Sequence, residues 1–427
     1  MDSLRVQEAT LAIAAEARRD WRYASDVIAR GFRRARHLAS AERREVAERV
    51  YGLIRMHRRV DAVCAWLLRP RGLGPADLPA RDLDLLRYLV YRVTLEGAPV
   101  EAAAAELLRL RVDPAALART DQALHDHPGL ELSYPDWLIE RAQAELGAAE
   151  ARALLEALNQ RAPLAVRANT VRIDREQLAA RLLAEGVASR PLGLAKGGLE
   201  LETRVNVFGL RAFREGLFEV QDEASQLIAE LCAPPRRSTV VDACAGAGGK
   251  TLALGAAMDG QGRLLALDID ERKLGELRRR AARAGLHNVQ ALANHAAPPG
   301  LQAARVLVDA PCSGLGVLRR NPEARWRLTA QEVDAFPARQ LTLLESYAPL
   351  TAPGGRLIYA TCTFLRAENE DVVLAFAARH PEFVVMPAKE ILSAPRAAQL
   401  GDGTFVRTWP HRHGTDGFFG AVLRRLP

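Results

Sequence analysis

Val240-Val241-Asp242-Ala243-Cys244-Ala245-Gly246-Ala247-Gly248-Gly249-Lys250-Thr251 is the stretch that decides the fold of this chain. Thr239–Ala243 is a short apolar run that reads as a strand. Three glycines within four positions then remove side chains where the backbone must turn sharply or approach a ligand. A helical pattern follows at once. Outward from this unit, apolar runs recur at Arg263–Leu267, Val289–Ala293, Val306–Val308 and Arg356–Ala360, with helical stretches such as Glu271–Ala284 and Gln331–Leu350 between them. Strand–helix alternation predicts a mostly parallel sheet covered on both faces, an α/β fold. Gly417–Leu423 reads as a last, antiparallel strand.

Upstream the character changes twice. Residues 1–125 show apolar positions only at helical spacing, as in Leu4, Ala9, Leu11, Ala14 and again Val46, Val50, Leu53, Ile54. They predict an all-α bundle of about five helices, with a loop at Pro70, Gly72, Gly74 and Pro75. Residues 126–232 read as linker helices followed by a small α/β module. Its parts are a strand at Ala165–Thr170, a helix at Asp174–Glu185, a glycine-punctuated β-like stretch from Leu192 to Phe218, and a helix opening at Gln221. The alternating α/β region occupies 233–427.

Composition narrows the function classes. The 427 residues are 49% hydrophobic and 26% charged, as in globular proteins. No apolar run is long enough for a membrane span, and the charged N-terminus excludes a signal peptide, so a cytoplasmic location is expected. Five cysteines without CxxC spacing argue against a disulfide framework and against a metal site. Only four of the 59 basic residues are lysines, and the net charge is +7. Residues 1–70 carry fifteen arginines against nine acidic residues, nearly the whole excess. A basic N-terminal module points to an anionic partner such as nucleic acid.

The glycine-rich turn, Cys244-Ala245-Gly246-Ala247-Gly248-Gly249-Lys250, is a candidate ligand loop. A phosphate-binding P-loop requires glycine where Cys244 stands, and a dinucleotide fingerprint requires a third glycine where Thr251 stands. Asp268 ends the second strand about 20 residues on, where a carboxylate can hold the hydroxyls of an adenosine ribose. These residues imply an adenosine-bearing ligand without choosing among such ligands.

Two cysteines narrow the choice. Cys312 lies in Asp309-Ala310-Pro311-Cys312-Ser313-Gly314 after the fourth strand, and Cys362 in Thr361-Cys362-Thr363 after the fifth. Adjacent parallel strand ends open into one crevice, so both thiols and Asp309 are expected to converge there. Cys64 and Cys232 read as buried apolar residues, and Cys244 as loop packing beside the ligand.

At these residues the chain resembles the RsmB branch of the RNA cytosine-C5 methyltransferases. The matching stretches are CAGAGGKT, LDID, DAPCSG followed by RRNPEARW, YATCTFLRAEN, the terminal DGFF, and RANT and FEVQDEAS upstream. The resemblance implies a Rossmann-like class I methyltransferase domain, preceded by a NusB-like helical RNA-binding domain and an RRM-like module. It implies S-adenosyl-L-methionine as cofactor and small-subunit (16S) ribosomal RNA as substrate; a monomer is expected. Cys362 would be the nucleophile, Cys312 would assist product release, and Asp309 would contact cytosine near the cofactor. Lys250 would be an active-site cation. Cys244 to Lys250, Asp268 and Asn294 would bind the cofactor. Two departures stand out: Gly246-Ala247 replaces the family's Ala-Pro, and Asn294 replaces an Asp. By analogy with DNA cytosine methyltransferases, which use the PC-motif cysteine, Cys312 would instead be the nucleophile.

The chemistry explains why such residue types are needed. Cytosine C5 is weakly nucleophilic. A thiolate adding to C6 makes C5 electron-rich, and a carboxyl group near N3 offsets the charge that develops. A base must then remove the C5 proton. The target base must be single-stranded or flipped out. Arg319, Arg320 and Arg325 with Trp326 follow the PC motif and are expected to line an RNA strand there, with Arg33, Arg34, Arg36, Arg43 and Arg44 as wider RNA contacts. Methylation of transfer RNA, or a non-catalytic RNA-binding role in ribosome assembly, are the rival readings; paired cysteines argue against the second.

Overall fold

The computed structural model describes residues 3–293 and 298–427. They form two compact units, Met1–Gln160 with Leu318–Ala330, and Arg161–Val317 with Gln331–Pro427.

The first unit is helical. Helices Leu4–Arg18, Ala24–Arg34, Ser40–Arg55, His57–Leu68, Ala80–Thr94 and Val100–Arg109 build its core. Among the described residues up to 125, six α-helices stand where about five were expected; the chain leaves helical geometry at Met56 (φ −99°, ψ 19°) between the third and the fourth. Helix Ser40–Arg55 buries Val46, Val50, Leu53 and Ile54, the stripe its spacing dictates. The unit does not stop at residue 125. Helices Asp136–Leu146 and Ala148–Asn159 belong to it as well, and the short helix Ala324–Arg327 returns to it from far along the chain. Among the described residues no helix is long and apolar enough to cross a membrane.

The second unit holds two sheets. Strands β1 (Ala165–Ala168), β2 (Ser189–Pro191), β3 (Gly198–Leu201) and β4 (Phe218–Val220) pair antiparallel in the order β2-β3-β1-β4. Helix Arg175–Ala184 lies between β1 and β2, started by an Asp174–Gln177 capping box. It buries Leu178 and Leu182 against Val166, Leu199 and Phe218. This is the small α/β module.

The large sheet contains β5 (Thr239–Asp242), β6 (Arg263–Asp268), β7 (Val289–Ala293), β8 (Ala303–Asp309), β9 (Thr351–Thr361), β10 (Phe383–Met386), β11 (Val406–Thr408) and β12 (Phe418–Arg425). Its order is β10-β12-β9-β8-β5-β6-β7, with β11 beside β12. The five strands from β5 to β9 pair in parallel. Strand β12 runs antiparallel between β9 and β10, as its terminal position predicted. The short strands β10 and β11 were not anticipated from the sequence. Alternate residues of β5 enter different cores: Val240 joins Leu227 and Ile228, whereas Val241 joins Leu344 and Phe376. Both faces are therefore covered, as an open parallel sheet requires. Strand order reverses at β5, and such a switch opens a crevice beyond the carboxyl ends of β5 and β8.

Candidate active site

The cofactor loop is built by two left-handed turns. Gly246 has φ +53° and Gly248 φ +89°, and the second caps helix Gly249–Ala257. A side chain at Gly248 would strike Leu277, while one at Gly246 would project into open space. That open space leaves room for a ligand to approach the backbone. The Gly246 N–H donates to Asp268 Oδ2 (2.8 Å), and the Asp270 N–H donates to Oδ1 (2.8 Å). Asp268 is thus locked at the end of β6, with a lone pair left on each oxygen. Ala245 N–H donates to Leu267 O (2.9 Å), tying the loop to the strand edge. Cys244 is half-buried, and burial pushes its thiol up and away from reactivity. The glycine cradle beside an anchored carboxylate fits an adenosyl ligand. Asn294 lies outside the described residues.

The chemistry-bearing side chains converge as their strand ends require. Cys312 Sγ and Cys362 Sγ are 3.3 Å apart, and the Cys362 N–H points at Cys312 Sγ (3.3 Å). Lys250 Nζ donates to Asp309 Oδ2 (2.6 Å) and lies 4.8 Å above the Phe418 ring. Burial disfavours the Lys250 charge, but Asp309 and the nearby Cys362 sulfur outweigh it, so its pKa is raised. The Cys312 pKa stands well above the ordinary thiol value, first because of its hydrogen bond to Cys362 and then because of burial. Either sulfur can donate in this contact.

A buried network that sequence reasoning did not assign holds the two motifs in register. Glu368, fully buried, accepts from the Ser313 N–H (2.9 Å), the Ser313 hydroxyl and Gln340 Nε2 (2.8 Å). Ser313 follows Cys312, and its hydroxyl also meets Thr363 Oγ1 (2.9 Å), which follows Cys362. The Gly316 N–H donates to Cys362 O (2.9 Å), and Gln340 Nε2 also donates to Pro311 O (3.1 Å). The Tyr359 hydroxyl donates to Glu368 O (2.7 Å). Nothing in the local sequence around Glu368 marked it for this role.

The arginines after the PC motif require a correction. Arg325 is fully buried, and its guanidinium stacks 3.8 Å from the Tyr134 ring. It donates to Asn159 Oδ1 (2.7 Å) and Ser133 O (3.2 Å). The Trp326 indole donates to Ile54 O (2.7 Å), and Arg319 is buried with its carbonyl accepting from Arg55. These side chains hold the Leu318–Ala330 segment in the helical unit and are closed to phosphates; Arg320 keeps partial exposure. Of the N-terminal arginines, Arg33, Arg34, Arg36 and Arg44 are exposed, and Arg34 pairs with Glu16.

Comparison with known proteins shows the family and the fold. Residues 229–424 match the family described as 16S rRNA methyltransferase RsmB/F, and residues 134–208 match an RsmF/B-like ferredoxin-like domain. A probable ribosomal RNA small subunit methyltransferase B of Synechocystis sp. is 32% identical, with 91% of this chain and 92% of the relative covered. Its Bacillus subtilis counterpart is 29% identical, with 94% of each chain covered. The crystal structure of PH0851 superposes with a TM-score of 0.79 at 28% identity, covering 100% of this chain and 99% of that one.

Proposed function

Because the chain belongs to the ribosomal RNA small subunit methyltransferase B family, we propose that it methylates C5 of a cytosine in 16S ribosomal RNA through a covalent bond between Cys362 and C6. The observation that carries the two-thiol chemistry is the 3.3 Å contact between the two sulfurs at the ends of β8 and β9; the TC motif of the family assigns the nucleophile to Cys362.

S-adenosyl-L-methionine, when bound, supplies the methyl group as an electrophile. The glycines of 246–249 and Asp268 would hold it. The rest is work for the chain's own residues. Cys362 enters as thiolate; its sulfur bonds to C6, and the C5=C6 electron pair moves to C5. Charge gathers toward N3 and O2 of the ring. The Lys250 ammonium, held by one Asp309 oxygen, offsets it, and the other Asp309 oxygen remains to accept from the exocyclic amino group of the base. Once C5 carries the methyl group, its proton must leave. The leading cause of the raised Cys312 pKa is the hydrogen bond to Cys362. Bonding of Cys362 to carbon ends that contact, so Cys312 releases its own proton to solvent and stands as thiolate at the stage where a base is needed. As the proton moves to Cys312, its electrons restore the C5=C6 bond and Cys362 leaves as thiolate.

The basic helical unit, with Arg33, Arg36 and Arg44 exposed, serves as a NusB-like RNA-binding body in this reading.

The test uses labelled S-adenosyl-L-methionine and unmodified small-subunit RNA. Cys362→Ala abolishes label in RNA. Cys312→Ala forms the bond but cannot eliminate, so a protein–RNA adduct accumulates on denaturing gels. Turnover by Cys362→Ala together with none by Cys312→Ala would invert the two roles.

A further inference from the structure

Helix Glu271–Ala284 reaches the cofactor loop at two places. Its N-terminus follows the Asp268–Asp270 turn, and one of its last turns carries Arg280. Arg280 donates one guanidinium nitrogen to Ala247 O (2.6 Å). Its Nε and second terminal nitrogen both donate to Glu219 Oε2 (3.3 and 3.0 Å). Glu219 is buried on β4 of the small sheet, and its other oxygen is taken by Arg283. Arg283 is itself fixed, lying 3.8 Å from the Phe213 ring. Arg167 faces Glu219 across the β1–β4 ladder and bonds to Gln221 Oε1 (2.7 Å).

Ala247 is the residue of the loop between its two left-handed glycines. The Ala247–Gly248 peptide is gripped at both ends: Arg280 holds its carbonyl, and its N–H donates to Ala245 O (2.9 Å). Ala247 has a free φ where the resembling family has a proline, whose ring would fix it. Glycines on either side have still more conformational freedom. A loop of this composition needs an external clamp to keep one shape.

We propose that Arg280 is a positioning residue for the cofactor loop, and that the small α/β module holds Arg280 in place through Glu219, contributing to S-adenosyl-L-methionine affinity from a different sheet. The inference rests on the cofactor reading above. Guanidinium geometry suits the task, because its planar fork serves a carbonyl on one side and a carboxylate on the other. Glu219 also offsets part of the charge of a cluster of three arginines. Without its charge Arg167, Arg280 and Arg283 repel one another, and Arg280 loses its hold on the loop.

The test is isothermal titration of the full-length protein, without RNA, with S-adenosylhomocysteine. Arg280→Ala weakens binding at least about 10-fold, equivalent to about 1.4 kcal/mol. Arg280→Lys restores part of it, since one ammonium can reach the carbonyl but not bridge both acceptors. Glu219→Gln weakens binding roughly 3- to 10-fold. In turnover assays KM for S-adenosyl-L-methionine rises, while kcat at saturation stays within about twofold. Thermal melting confirms that each variant is folded; a merely structural role would lower melting temperature without this KM–kcat split. A folded Arg280→Ala variant that binds S-adenosylhomocysteine within twofold of wild type overturns the proposal. Loss with Arg280→Ala but none with Glu219→Gln overturns the part played by the module. Absence of binding by wild type would instead refute the cofactor reading itself.

Discussion

Removing the Glu368 carboxylate should loosen the register between the two cysteine motifs, and the structure says by how much. Glu368 is fully buried and accepts the Ser313 N–H at 2.9 Å, Gln340 Nε2 at 2.8 Å and the Ser313 hydroxyl. In Glu368→Ala the hydroxyl can turn to Thr363, already 2.9 Å away, but two N–H donors are stranded. Each buried unsatisfied group costs about 1–3 kcal/mol, so the variant loses roughly 2–6 kcal/mol. For a unit of this size that is a fall of roughly 5–20 °C in melting temperature. Glu368→Gln behaves differently. Its amide oxygen can still accept both N–H groups, and its NH2 can donate to Ser313 Oγ while that hydroxyl donates to Thr363. Only the charge assistance is lost, about 1–2 kcal/mol. Activity should fall more steeply than stability in the alanine variant, because a displacement of ~1 Å between reacting groups costs about 100-fold. Differential scanning calorimetry and single-turnover methylation at saturating S-adenosyl-L-methionine measure both quantities. S-adenosylhomocysteine affinity should not change, since Glu368 makes no contact with the glycine loop. An alanine variant that melts within about 2 °C of wild type and turns over normally would refute the reasoning.

Two other predictions follow from buried charges. Burial pushes the Asp242 carboxyl up to about 7, although Thr251 Oγ1 donates to it at 2.7 Å, and its Oδ1 has no partner. The folded state therefore keeps a proton that the unfolded chain releases, so Asp242 makes stability fall as pH rises from about 4 to about 7. Asp242→Asn does not titrate; its stability relative to wild type should grow by a few kcal/mol between pH 5 and pH 8 in urea unfolding, and equal gaps at both pH values would count against this. Arg325→Ala should destabilise the helical unit by about 2–4 kcal/mol, through the stranded Asn159 and Ser133 acceptors and the lost stacking on Tyr134. Its RNA affinity should keep the wild-type salt slope at temperatures where it is folded; a reduced slope would return Arg325 to the RNA surface.

Some of this was written in local sequence. The glycine turn, the acidic residue ending the second strand and the two cysteine motifs each sit within a few residues of a strand end, and apolar periodicity locates strand ends. Parallel topology then brings strand ends together, so the meeting of Cys312, Cys362 and Asp309 was legible without coordinates, while Lys250 was named by the family resemblance. The five parallel strands were legible because each is an apolar run; four of them are largely buried, while β7 at the sheet edge is only half-buried. Strands β10 and β11, of four and three residues, were not, because so short an edge segment carries too little pattern. Other features depend on pairs far apart in the chain, and a single sequence does not encode which buried polar group meets which. Arg325 looked like a phosphate ligand because arginine composition says nothing about burial; its place against Tyr134, 191 positions earlier, was decided by packing. Glu368 and Arg280 are equally silent in sequence. A carboxylate or guanidinium becomes a clamp only when folding removes water from around it and leaves specific donors and acceptors as its only partners.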